Sequence, residues 1–213
     1  MNQSGLYRPE YEHDACGVAF VADLHGEQSR SVVQMGITAL ENLDHRGAVG
    51  AEENSGDGAG ILVQVPDEFM RASVPFDLPE RGSYAVGIAF LPAIGERSGA
   101  VAQIEQIAAD EGLAVLGWRT VPVDSSMIGP TALNSMPTFR QLFVRDTLGA
   151  SGIELDRKAF RLRKRVENAG TYFASLSCRT LLYKGIKTAW QHEDTQRILR
   201  LMLPAVLGVS VAQ

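Results

Sequence analysis

The chain has 213 residues, of which 45% are hydrophobic and 21% are charged, so it is long enough for one sizeable core and has the composition of an ordinary globular protein. The net charge of −5 argues against a general nucleic-acid binder, and no apolar run approaches the ~20 residues that span a bilayer. Two cysteines, Cys16 and Cys178, are too few for a disulfide framework and indicate a reducing compartment, for which we expect the cytoplasm.

Residues 1–15 are polar and irregular and lack the pattern of a secretory signal. They end at Cys16, which opens a predicted strand from Cys16 to Asp23. A thiol needs a base to become a nucleophile, and cleavage between Ala15 and Cys16 would supply an α-amino group with a reference pKa of about 7.7–8.0. Two interpretations stay open: a removable leader before a catalytic cysteine, or a frayed terminus before a small apolar residue in a strand.

After a predicted helix over residues 31–43, the chain reads Asp44-His45-Arg46-Gly47-Ala48. In one interpretation His45 and Arg46 interact with the terminal carbonyl groups of the helix, and Gly47 is its C-cap. In the other, Arg46 points into a site beside the nucleophile.

The glycine-rich stretch Gly56-Asp57-Gly58-Ala59-Gly60 precedes a predicted strand over residues 61–65. A phosphate-binding loop would need a helix directly after the glycines, and a strand follows instead. The glycines therefore predict a tight turn that lies against an active site or another strand.

The remaining pattern alternates strands and helices and then ends in paired strands. Helices are predicted over 31–43 with Ser29 or Ser31 as N-cap, over 66–72, over 98–109 and up to Gly170; strands over 83–91, 113–121, 139–144, 171–177 and 180–183; and a loop over 122–137. This order favours a layered α/β domain with packed, largely antiparallel sheets.

Six basic residues lie between Arg157 and Arg165 within a predicted helix. In a chain with a net negative charge, this cluster favours a solvated helix face over a nucleic-acid-binding patch. We expect Cys178 to be a core or turn residue.

Several motifs then occur in a fixed order. They are Asp14-Ala15-Cys16-Gly17-Val18, Glu41-Asn42-Leu43-Asp44-His45-Arg46-Gly47-Ala48, the stretch from Ser55 to Pro66, Gly117-Trp118-Arg119, the stretch from Tyr172 to Thr180, and Tyr183-Lys184-Gly185. From about Leu6 to Gly185, their order and spacing resemble the start of the glutamate synthase large subunit.

The resemblance implies a class II glutamine amidotransferase domain, an N-terminal-nucleophile hydrolase with an αββα sandwich. It implies that residues 1–15 are removed, and that Cys16 then supplies both the nucleophile and the α-amino base. The thiolate would attack the side-chain amide of L-glutamine, releasing ammonia and leaving a glutamyl thioester for water to hydrolyse. Arg46 and Gly47 match the His-Arg-Gly motif of the family, for which we expect a supporting role beside the nucleophile.

For the full-length family protein, the resemblance implies partners beyond this chain. Ammonia would pass to a flavin domain on the same polypeptide and be used to make glutamate from 2-oxoglutarate. FMN, an iron–sulfur cluster and a small reductase subunit are implied there. For this fragment we expect no cofactor, metal, nucleic acid or membrane partner.

The family pattern is lost after Gly185. Neither the His-Ser/Gln-Arg-Phe-Ser-Thr-Asn motif that grips the substrate carboxylate nor the His-Asn-Gly-Glu motif that builds the oxyanion hole follows, and residues 190–203 are helix-like instead. We therefore expect a removable leader over 1–15, a partial amidotransferase domain over 16–185 and a divergent tail over 186–213, with a sandwich that is incomplete at its C-terminal side.

The break in pattern suggests a truncated or frameshifted glutamate synthase sequence. Three interpretations follow: a glutaminase, a catalytically inactive remnant that acts at most as a binding fragment, or a different N-terminal-nucleophile amidohydrolase.

Overall fold

The computed structural model of the chain describes residues 17–25, 29–43, 58–92, 97–126, 128–186 and 208–212. Within them the strands are β1 (Val18–Ala22), β2 (Gly58–Gln64), β3 (Ala85–Leu91), β4 (Leu113–Thr120), β5 (Thr138–Asp146), β6 (Tyr172–Ser177), β7 (Thr180–Ile186) and β8 (Gly208–Ala212). The helices are α1 (Arg30–Asn42), α2 (Asp67–Ser73), α3 (Arg97–Asp110), α4 (Pro130–Asn134) and α5 (Gly152–Asn168).

The strands form two sheets of four. Sheet I has the order β1-β8-β2-β7 and sheet II the order β4-β5-β3-β6. Every neighbouring pair is antiparallel. The layered α/β class with antiparallel sheets that the sequence predicts is confirmed.

One hydrophobic core joins the two sheets. Side chains alternate between the faces of a strand, so one set from each sheet points into the layer between them. This core contains Ile61 and Val63 of β2, Leu181 of β7, Val86 and Ile88 of β3 and Phe143 of β5, together with Val33 and Ile37 of α1.

A second core lies between sheet II and two helices. It contains Ala85 and Ala89 of β3, Leu142 and Val144 of β5, Ile104 and Ala108 of α3, and Leu155, Ala159 and Leu162 of α5. The alternation along β3 and β5 therefore divides their side chains between the two cores.

The helix α1 begins as predicted but ends earlier than its C-cap prediction requires. Ser29 is the N-cap, and its Oγ accepts a hydrogen bond from the Val32 N–H at 3.4 Å. The helix ends at Asn42 with Leu43 as the C-cap, whose N–H donates to the Ala39 and Leu40 carbonyl oxygens. The prediction of Gly47 as C-cap is therefore wrong, because the last turn is closed by the backbone before that residue.

Three elements differ from their prediction. The short helix α4 lies within the predicted loop and starts at Pro130, whose fixed φ suits a first helical position. The strand β2 begins at Gly58, so two of the glycines are part of the strand. The strand β8 was not predicted, and the helix predicted over 190–203 lies outside the described residues.

Two glycines allow segments to approach more closely than a side chain would permit. A Cβ at Gly117 would lie 2.4 Å from the Phe76 ring, which explains the glycine of the Gly117-Trp118-Arg119 motif. A Cβ at Gly87 would lie 2.1 Å from the Ser175 carbonyl oxygen, at an irregularity in the pairing of β3 with β6.

We predict that Gly87→Ala destabilises the fold by at least about 2 kcal/mol, because the new methyl group would push the β6 backbone away from β3. The matched control is Gly99→Ala in α3, where a Cβ meets nothing within 4 Å and stability should change by less than about 1 kcal/mol. Urea unfolding measures both variants. Equal midpoints for Gly87→Ala and the unaltered chain would contradict the prediction.

Candidate active site

The three predicted site residues, Cys16, Arg46 and Gly47, lie outside the described residues. Their described neighbours in the chain are Gly17, which is buried, and Leu43 at the end of α1. The described strands that adjoin these segments in the chain are β1 and β2.

In sheet I, the first residues of β1 and β2 lie at the same end of the strands. Both strands run antiparallel to β8, and Ala212 of β8 is opposite Val18 on one side and Gly60 on the other. Gly58, at the start of β2, is opposite Ile186 at the end of β7. The first residues of β1 and β2 therefore lie at the same end of sheet I.

One set of strand ends in sheet II lies at the same end of the sandwich. A turn of two residues, Cys178 and Arg179, joins β6 to β7 and carries the chain from one sheet to the other. The Lys184 ammonium donates to the Tyr172 hydroxyl at 2.8 Å, so the start of β6 lies beside the end of β7.

We call this region the shared end. It is defined by Gly17, Gly58 and Ile186 of sheet I and by Leu91, Thr138 and Tyr172 of sheet II, since Leu91 pairs with Thr138 and Phe90 with Tyr172.

A row of aromatic side chains crosses sheet II at the shared end. The ring centroids of Phe139 and Phe90 are 4.8 Å apart and those of Phe90 and Tyr172 are 5.1 Å apart, both in edge-to-face geometry. The Lys184 ammonium lies 5.2 Å from the centroid of the Tyr172 ring. The row thus joins three strands of sheet II to the end of β7.

A polar network lies behind this row and links the two sheets. Arg119 Nη1 donates to Gln141 Oε1 at 2.7 Å, and Gln141 Nε2 donates to the Tyr183 hydroxyl at 3.3 Å. The Arg119 guanidinium also lies over the Phe69 ring at 5.3 Å. Burial raises the pKa of Tyr183 to about 12, so its hydroxyl stays protonated at neutral pH. Burial also lowers the pKa of Arg119.

Gly60 brings β2 close to β7. A Cβ at this position would lie 3.2 Å from the Tyr183 carbonyl oxygen. The predicted tight turn is wrong for Gly58 and Gly60, which are part of β2, but Gly60 does lie against another strand as predicted. Gly56 and Asp57 lie outside the described residues.

Asp156 of α5 holds the turn between β6 and β7. Its carboxylate accepts hydrogen bonds from the Cys178 N–H at 2.8 Å, the Ser177 hydroxyl at 3.0 Å and Arg179 Nε at 2.7 Å. Burial acts to raise the pKa of Asp156, but these donors outweigh it and the pKa is lowered. Sequence analysis missed Asp156, because a single acidic residue on a helix gives no local sign of a partner 22 residues away.

Cys178 is a buried turn residue, as predicted. Its Sγ donates to the Gly152 carbonyl oxygen at 3.2 Å. Burial, reinforced by the Asp156 carboxylate, raises the pKa of this thiol to about 12, so it is protonated and unreactive near neutral pH.

The basic cluster of α5 forms ion pairs with carboxylates. Arg161 and Arg165 pair with Glu111, and Arg165 also pairs with Asp110. The other pairs are Arg157–Glu154, Lys158–Asp146, Arg163–Glu167 and Lys164–Glu167. The face is therefore neutralised along its length rather than presented as an unpaired positive patch.

The described residues contain no group of three or more histidine, cysteine, aspartate or glutamate side chains placed to hold a metal ion. Among the helices of these residues, none combines the length and the apolar character needed to cross a membrane.

The family model described as "Glutamine amidotransferases class-II" matches residues 16–195. The chain belongs to the class II glutamine amidotransferases. The match begins at Cys16 and extends ten residues past Gly185 (195 − 185), whereas the boundaries of the leader and tail stay predictions. The two antiparallel sheets and their helices agree with the α/β sandwich expected of this family.

Three curated relatives of the chain are glutamate synthases. The chain is 44% identical over 200 residues to the "Glutamate synthase [NADPH] large chain" of Bacillus subtilis (88% of this chain and 13% of the relative), and 42% identical over 211 residues to the "Glutamate synthase [NADH]" of Saccharomyces cerevisiae (89% and 10%). It is 38% identical over 184 residues to the "Ferredoxin-dependent glutamate synthase 2" of Synechocystis (82% and 12%). The chain thus spans about a tenth of the length of the relatives it matches.

We predict that one thiol of the folded chain reacts with a disulfide reagent at pH 8 and that it is Cys16, because the Cys178 thiol is buried with a pKa of about 12. A colorimetric titration should find one reactive thiol in the folded protein and two after unfolding in urea. Cys16→Ala should remove the reaction of the folded protein, and Cys178→Ala should leave it unchanged. A fast reaction that survives Cys16→Ala would refute this assignment.

Proposed function

We propose that this chain is the glutamine-hydrolysing part of a glutamate synthase and that it releases ammonia from L-glutamine. The observation that carries the proposal is the family match that begins at residue 16, the residue to which the family resemblance assigns the nucleophile. The 38–44% identity to three glutamate synthases named for different electron donors supports a function that is common to all three and does not depend on the donor.

Cys16 would act at the shared end of the sandwich. A trans peptide bond holds its Cα about 3.8 Å from that of Gly17, which is buried at the entry to β1. The start of β2 lies at the same end of sheet I. The segment that carries Arg46 and Gly47 lies between α1 and β2 in the chain. This connectivity supports a site in which Arg46 and Gly47 flank the nucleophile.

The reaction needs one nucleophile and one base. With residues 1–15 removed, the neutral α-amino group of Cys16 accepts the thiol proton, and the sulfur attacks the side-chain carbonyl carbon of glutamine. The tetrahedral adduct expels the amide nitrogen as ammonia, which takes up the proton from the α-ammonium group. Water then adds to the thioester, the carbon–sulfur bond breaks, and glutamate leaves with the thiol restored.

The released ammonia would be used elsewhere in the full-length enzyme, for the synthesis of glutamate from 2-oxoglutarate. The flavin domain and the small reductase subunit belong to this part of the proposal, as does a cytoplasmic location. Iron–sulfur clusters generally take four cysteine ligands, and this sequence has two cysteines, of which Cys178 is hydrogen-bonded within a turn. The residues of this chain therefore do not fit a cluster, and no step of the hydrolysis is assigned to one.

We predict that the purified chain releases ammonia from L-glutamine and that Cys16→Ala abolishes the release, because the alanine variant has no nucleophile. The rate should be at least about 10²–10³ lower than that of a complete amidotransferase domain, since the oxyanion motif does not occur in this sequence. A coupled glutamate dehydrogenase assay measures the ammonia, and intact mass should show that the active chain begins at Cys16.

Cys178→Ala is the matched control, because it removes a thiol outside the proposed site and should keep the activity. Ammonia release by a chain that keeps residues 1–15 would contradict the role of the α-amino group. A processed, folded chain without glutaminase activity would contradict the proposed function itself.

A further inference from the structure

The strand β1 is attached to sheet I through β8. In the order β1-β8-β2-β7, each residue of β1 from Val18 to Ala22 has its partner on β8. On its other side, β8 pairs with β2 over Gly60 to Val63. Among the described strands, β8 is thus the link between the strand next to Cys16 and the rest of the sheet.

The side chains of β1 are exposed or only partly buried. Val18 is 65% exposed and Phe20 is 73% exposed. Ala19 and Val21 contact the core but are only partly buried. In β2, by contrast, Ile61 and Val63 are buried. The position of β1 therefore depends on its backbone pairing with β8, together with the contacts of Ala19 and Val21 with the core.

We propose that the slot between β1 and β2 is a binding site for one antiparallel strand, filled here by residues 208–212, and that its occupation sets the position of Cys16. Both walls of the slot present rows of backbone N–H and C=O groups, which an extended segment satisfies through main-chain hydrogen bonds. The occupant is recognised by its extended backbone, so a peptide with this sequence added in trans can compete for the slot.

Emptying the slot has a geometric consequence. Neighbouring strands lie about 4.8 Å apart, so β1 and β2 are separated by about twice that distance while β8 is in place. If β1 paired directly with β2, it would move by about 4.8 Å and would form a parallel pair, because both strands are antiparallel to β8. A nucleophile displaced by even 1 Å can lose about 10² in rate.

The link to catalysis rests on the proposed role of Cys16, whereas the strand pairing does not. Amide hydrogen exchange therefore tests the strand site without reference to activity. In the unaltered chain, the amides that form the hydrogen bonds between β1 and β8 should open together, with protection factors within about threefold of each other. These protection factors should be lower than those of the amides in β3 and β5. Protected β1 amides beside freely exchanging β8 amides would overturn the proposal.

A variant pair tests the same point by perturbation. Ser210 lies opposite Phe20 of β1 and Leu62 of β2. Ser210→Pro removes an N–H from the centre of β8, and protection of the β1 amides should fall about tenfold or more while that in β3 and β5 is kept. The matched control Ser210→Thr keeps the N–H and should keep the protection.

A peptide corresponding to residues 207–213 should restore β1 protection when it is added to the Ser210→Pro chain, and the same peptide with proline in place of its serine should not. Unchanged β1 protection in Ser210→Pro, or equal effects of the two peptides, would overturn the strand site. Exchange in the unaltered chain decides the proposal where Ser210→Pro does not fold.

The two proposals fail in distinguishable ways. If Cys16 is not the nucleophile, ammonia release is absent from the unaltered chain, but the exchange pattern is unaffected. If the strand site is wrong, Ser210→Pro keeps both the exchange pattern and the glutaminase rate of the unaltered chain.

Discussion

The short turn between β6 and β7 constrains how the two sheets are aligned. Because two residues carry the chain from sheet II to sheet I, the start of β6 must lie beside the end of β7. The antiparallel registers then propagate this alignment across both sheets, to the end of β3 on one side and to the start of β2 on the other. Asp156 of α5 holds this turn by accepting hydrogen bonds from the Cys178 N–H and from Arg179 Nε.

The same alignment gives physical roles to motifs that the family resemblance identified only as patterns. Gly117 makes room for the Phe76 ring, and Arg119 joins Gln141 and Tyr183 in a polar network between the sheets. Cys178 closes a turn rather than serving chemistry, because burial beside Asp156 keeps its thiol protonated. Much of the family pattern in the described residues thus maintains the geometry of the sandwich, and the chemistry that we propose is assigned to Cys16, which lies outside them.

Much of the fold could be predicted from periodicity. The helix over residues 97–110 and the strands over 85–91 and 138–146 lie close to their predicted bounds, because the helix buries one face in a core and the two strands bury side chains on both faces. The strand over 208–212 could not be predicted, since its five residues carry no signal that distinguishes an apolar tail from a strand inserted between two distant partners. The polar network was equally hidden, because Gln141 becomes a buried partner of Tyr183 only once two sheets meet. Cys16, Arg46 and Gly47 were chosen from chemistry and resemblance, and their placement stays a prediction.

We propose that Cys16 lies at the shared end of the sandwich, where β1, β2, β5 and β6 begin. A nitroxide spin label attached to Cys16 tests it directly, since paramagnetic broadening of amide signals depends steeply on distance and β5 alone is about 30 Å long. We expect strong broadening of the amide signals of Leu91, Thr138 and Tyr172 and little effect on those of Ala85, Asp146 and Ser177. Broadening of Ala85, Asp146 and Ser177 with Leu91, Thr138 and Tyr172 spared would contradict it.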